Sequence, residues 1–101
     1  MKIRVRCDDK YEAQKLASLL FIKDANETFI TAILNIVGNE LVVALKDKSA
    51  HSIVLKDETN VEVFADFIQS VIDKEDKIVS TVIFGQDVEI VKGWNQPKNT
   101  V

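Results

Sequence analysis

Two short turn signals, Gly38-Asn39 and Gly85-Gln86, each sit between apolar-rich runs, and they constrain this chain more than any other feature. A two-residue loop closes an antiparallel hairpin when its first residues accept positive φ, which glycine does at no steric cost. The long stretch around Gly38 and the run Ile78 to Lys92 are therefore expected to be hairpins, the second with strands Ile78 to Phe84 and Asp87 to Lys92. Centred on Gly38-Asn39, the first pairing sets Ile36 opposite Leu41, Leu34 opposite Val43 and Ala32 opposite Leu45, all apolar and all on one face. The other face would carry Phe29, Thr31, Ile33, Asn35 and Val37 opposite Val42, Ala44 and Lys46. A face simply open to water would read polar. Phe29, Ile33, Val37, Val42 and Ala44 instead form a second apolar patch, and such patches mark interaction surfaces.

The remaining elements follow from periodicity. Ile3, Val5 and Cys7 alternate with Lys2, Arg4 and Arg6, the period of a half-buried strand over Lys2 to Cys7. Asp9, with Glu12 three positions on, has capping-box spacing and opens a helix over about Lys10 to Lys23. Its apolar stripe is Ala13, Leu16, Ala17 and Leu20, and Asp24-Ala25-Asn26 is the turn that follows. His51 to Leu55 reads as a short strand. Thr59 and Glu62 repeat the capping-box spacing before a second helix striped by Val61, Phe64, Phe67, Ile68, Val71 and Ile72. The order β-α-β-β-β-α-β-β contains most of a split β-α-β string. The expected fold class is thus α+β, an antiparallel-rich sheet with two helices on one face and a ferredoxin-like core. Residues 1–94 are expected to make one domain, and residues 95–101 a flexible tail.

Composition narrows function mainly by exclusion. With 101 residues and 47% hydrophobic side chains the chain can bury a self-sufficient core without disulfides or metal. One Cys, one His and three Gly leave little material for recurring catalytic constellations or phosphate loops. The net charge of −3 lacks the basic excess of a polyanion binder, so nucleic acid is not an expected partner. The stretch Asp9 to Asp73 resembles a double-stranded RNA-binding domain in element order alone, and Asp57, Glu58 and Glu62 stand where a basic cluster would be needed. The alternating N-terminus is no signal peptide, and no apolar run approaches the roughly 20 residues of a membrane helix. A lone cysteine suits a reducing compartment. A cytoplasmic protein is expected, and the preponderance of Lys over Arg suggests a bacterial or phage genome.

Individual residues each have a structural reading beside a chemical one. Cys7 ends a strand and precedes a helix, where thiolates are sometimes activated, but Asp8 and Asp9 oppose its ionisation. It reads as a small core residue continuing the face of Ile3 and Val5. Asp8, Asp9 and Glu12 are candidate Mg²⁺ ligands, and helix capping accounts for the same residues. His51 has no evident partner in the sequence and reads as a packed rim residue. The basic stripe Lys2, Arg4 and Arg6 could meet an acidic partner, yet Asp87 and Glu89 alternate in the last strand and offer cross-strand pairing.

These readings converge on a small non-enzymatic protein–protein interaction domain, a homodimer with Phe29, Ile33, Val37, Val42 and Ala44 in its interface. The expected partner is the protein itself or another protein. No membrane, small molecule, cofactor or metal is implied. Two alternatives stand beside it: a phage or mobile-element inhibitor that binds a host enzyme, and a metal-dependent phosphodiesterase built on Asp8, Asp9 and Glu12.

Overall fold

A computed structural model describes residues 1–22 and 27–94. The elements are β1 (Lys2–Arg6), α1 (Lys10–Leu20), β2 (Ile30–Val37), β3 (Glu40–Leu45), β4 (Ala50–Val54), α2 (Glu58–Ile72), β5 (Asp76–Phe84) and β6 (Asp87–Trp94). The order is the one periodicity predicts, and the fold is α+β. The expected turn at Asp24-Ala25-Asn26 and the expected tail 95–101 lie outside the described residues.

The strands group differently from expectation. Instead of one sheet there are two antiparallel three-stranded sheets, β1-β6-β5 and β2-β3-β4. They touch where β1 and β4 end. Cys7 and Leu55 form an antiparallel bridge there. Asp8 N donates to Val54 O at 3.1 Å, and Lys56 N to Arg6 O at 2.9 Å. Helix α1 packs on β4, β5 and β6, and α2 on β1, β2 and β5, so each helix spans both sheets.

Both helices open on a carboxylate cap. Asp9 accepts from Glu12 N at 2.9 Å. Helix α1 stops at Leu20, short of the expected Lys23. The Leu19 carbonyl, which a continuing helix would offer four residues on, instead accepts from Phe29 N and Thr28 Oγ1, both at 3.1 Å. Helix α2 begins earlier than expected, because its cap is Asp57 and not Thr59. Asp57 Oδ1 accepts from both the backbone N and Nδ2 of Asn60 at 2.9 Å, while Asn60 Oδ1 accepts from Arg6 N at 2.9 Å. Asn60 thereby ties the first turn of α2 to β1.

The first hairpin corrects the expected register. Ile36 does oppose Leu41, but bulges follow, so that Ile33 opposes Val43, Ala32 opposes Ala44 and Ile30 opposes Leu45. An extra residue in one strand switches every later side chain to the other face. Leu34, expected in the core, is 55% exposed, and Ile33 packs against the core instead. Both turns carry positive φ at glycine, +59° at Gly38 and +63° at Gly85. Asn39 and Gln86 do not share it, which is the type II′ pattern.

The core joins Val5, Cys7, Val88, Ile90 and Ile78 of one sheet to Leu41, Val43, Ile53 and Leu55 of the other, under Leu16, Leu20, Phe64 and Ile68 of the helices. Phe64 is fully buried; its truncation to Ala would cost about 3–5 kcal/mol.

Candidate functional site

The charged groups are largely consumed by the fold. On the outer face of β1-β6-β5, Lys2, Arg4 and Arg6 meet acidic residues of β6. Arg6 Nε lies 2.8 Å from Asp87 Oδ1, Arg4 Nε 3.1 Å from Asp87 Oδ2, and Lys2 Nζ 3.8 Å from Glu89. The hydrogen bond from Arg6 holds the Asp87 carboxyl below the usual carboxylate range, with burial opposing it. Arg4 also stacks on Phe84, its guanidinium 4.7 Å from the ring centre. The basic stripe is thus a cross-strand ion-pair ladder, as the alternation of Asp87 and Glu89 allowed.

The carboxylates after β1 do not converge. Asp9 caps α1, Glu12 Oε2 accepts from Val54 N at 3.2 Å and pairs with Lys15 Nζ at 3.2 Å, and Asp8 is exposed. Among the described residues no group of three or more His, Cys, Asp or Glu side chains could hold a metal ion. Cys7 is fully buried, and burial first, then the charges of Glu12, Asp87 and Asp9, push its thiol up to about 12. A thiol held neutral in this way is not a nucleophile near neutral pH.

His51 does have a partner, contrary to expectation. Ser49 Oγ lies 3.1 Å from His51 Nε2 and donates to Asp47 Oδ1 at 2.5 Å, while Ser49 N donates to the same oxygen at 2.9 Å. The tight turn that brings the three together runs through Lys48 at φ +69°. Their order is wrong for nucleophilic catalysis. The serine proton goes to the carboxylate, and Asp47 is held low by that same hydrogen bond, which makes it a weak base. The trio closes the β3–β4 turn.

Sequence reasoning missed Lys92. It continues the inward phase of Val88 and Ile90 and is largely buried. Its ammonium donates to Ser70 Oγ at 2.5 Å, pairs with Asp76 Oδ2 at 3.2 Å and lies 4.5 Å from the centre of the Phe67 ring. With Met1, Ile3, Val63 and Asp66 it lines a shallow groove beside α2.

The proposed interface residues are dispersed. Val37 is 65% exposed at the hairpin tip, Phe29 is exposed before β2 begins, and Val42 and Ala44 are half-buried on the outer face. Ile33 lies on the opposite, core-facing side. Exposed apolar side chains are concentrated instead on two of the four outer strands. They are Leu34, Ile36 and Val37 on β2, and Val79, Val82, Ile83 and Phe84 on β5. No helix of the described residues is long and apolar enough to cross a membrane. Comparison of the chain with protein-family models, with curated proteins and with solved structures finds no match.

Proposed function

We propose that this protein is a non-enzymatic protein–protein interaction domain that associates with a second copy of itself in a bacterial cytoplasm. In this reading both helices cover one side of a ferredoxin-like arrangement, and the outer strands and the opposite side are left for partners. The observation that carries it is the distribution of exposed apolar side chains. They collect on β2 and β5, two of the four strands with a neighbour on one side only, while the other two, β1 and β4, expose no large apolar side chain. Solitary exposed hydrophobes need no explanation, whereas a row of them along an unpaired strand marks an association surface. The reading is also supported by the structural employment of Cys7, His51, Asp9, Glu12 and Asp87 described above. Sedimentation velocity at a concentration on the order of tens of micromolar should give twice the chain mass of 11.4 kDa. A monomer throughout that range overturns the proposal.

One observation favours a different partner, a host enzyme with a basic surface, as for a phage or mobile-element inhibitor. Glu58, Glu62 and Asp66 are exposed along one face of α2, a helix without a single Lys or Arg, and the exposed Asp73 caps its C-terminal end. Such a face steers association toward positive charge. In this reading a host enzyme co-purifies with the protein at low salt and is lost both at high salt and in the Glu62→Lys, Asp66→Lys variant.

A further inference from the structure

We propose, resting on the self-association reading above, that two copies pair antiparallel through the free edge of β5, with Val82 on the two-fold axis. The two outer strands that carry exposed apolar side chains, β2 and β5, are not equivalent. On β2 the pairing with β3 is interrupted by two bulges, at Thr31 and at Leu34. Bulges twist an edge away from new partners and are a common guard against edge pairing. On β5 the irregularity falls at Val79, and from Ser80 to Phe84 every residue opposes one of β6 in unbroken register. The run Ile78 to Phe84 holds no charge and no proline, the other usual guards.

The backbone direction on that edge follows from the far side of β6. Lys92 N donates to Met1 O at 2.8 Å, Met1 N donates to Lys92 O at 3.0 Å, and Cys7 N donates to Gln86 O at 2.8 Å. Gln86, Val88, Ile90 and Lys92 therefore aim their backbone at β1, and Asp87, Glu89 and Val91 aim theirs at β5. Their partners Phe84, Val82 and Ser80 bond back to β6. Thr81 and Ile83 are left with N–H and C=O directed away from the sheet.

That edge is complementary to itself. A two-fold axis through Val82 sets Thr81 opposite the partner's Ile83 and Ile83 opposite the partner's Thr81, which pairs all four outward backbone groups on each strand. Val82 meets the partner's Val82 on the outer face, and Phe84 meets the partner's Ser80. No like charges face each other anywhere in the run. Because the contact is isologous it closes at two copies. The exposed apolar side chains of β5, Val82 at 44% and Phe84 at 48% among them, are those such a pairing covers.

The test is site-specific oxidation of the full chain. Val82 and the partner's Val82 would form a non-hydrogen-bonded pair with Cα atoms about 4.5 Å apart, within disulfide range. Val82→Cys should give a disulfide dimer under mild oxidation. Ser80→Cys and Phe84→Cys should not cross-link alone but should do so when mixed. Cys7, being buried, does not compete. Val82→Lys should sediment as a monomer with native circular dichroism, and its thermal midpoint should lose the concentration dependence of the wild-type dimer. A wild-type dimer that Val82→Cys fails to cross-link, or that survives Val82→Lys, overturns the β5 pairing and leaves self-association standing. A wild-type monomer overturns both.

Discussion

Arg6 Nε donates to Asp87 Oδ1 at 2.8 Å, while Arg4 approaches the other oxygen of the same carboxylate, so one acidic side chain of β6 holds two basic ones of β1. The Asp87 side chain keeps only 12% of its exposure, so its loss is not made good by water. Asp87→Asn should lower unfolding free energy by about 1–2 kcal/mol at neutral pH. Because the folded carboxyl titrates below its unfolded value of about 3.9, the contribution is complete above that pH and is lost as pH falls through the lower folded value. Denaturant melts of both proteins from pH 7 to pH 2 should therefore converge at the acid end. Parallel curves over the whole range would refute the assignment.

Cys7 gives a prediction of opposite sign. Its thiol is pushed up in the folded state to about 12, chiefly by burial. In the unfolded chain it ionises near about 8.5. Stability from this residue is fully present below that value and declines as pH rises from there toward the folded value. A thiol reagent at pH 8 should leave the native protein unlabelled and react fully once it is denatured. Rapid labelling of the native state would place Cys7 at an accessible site.

The start of α2 separates two residues that sequence spacing makes hard to tell apart. Asp57→Ala should destabilise by about 1 kcal/mol, because Asp57 satisfies the Asn60 N–H at the helix start. Thr59→Ala, at an exposed position inside the helix, should stay within about 0.5 kcal/mol of the wild type. Thermal melts of the two variants check the contrast; equal losses would return the cap to Thr59.

Legibility in the sequence followed contrast between neighbours. β1 was readable because Lys2, Arg4 and Arg6 alternate with Ile3, Val5 and Cys7, and its pairing with β6 because Asp87 and Glu89 alternate as well. β2 was not, because Ile33 and Leu34 are both apolar and either can face inward at the level of hydropathy alone. The bulge at Leu34 decided between them, and it took Ile33 out of the expected interface. The Asp47–Ser49–His51 trio depends on a left-handed residue at Lys48, which no glycine announces. Its one signal was Asp47 two positions before Ser49, the spacing of a side-chain-capped turn. Lys92 was legible in phase, following Val88 and Ile90, but a lysine at the end of an alternating strand reads as solvated until Ser70 and Asp76 are seen around it.

The pairing of β1 with β6 also has a kinetic side. Lys2 stands opposite Val91 and Arg6 opposite Asp87, so β1 finds its full-length neighbour in β6, with Arg6 and Asp87 81 positions apart in the chain. Closing a loop of that span costs chain entropy before any contact repays it. The β2–β3–β4 meander can form while synthesis is under way, but Val5 and Cys7 must wait for Val88 and Ile90 to be made. Refolding should accordingly be limited by the docking of the N-terminal strand.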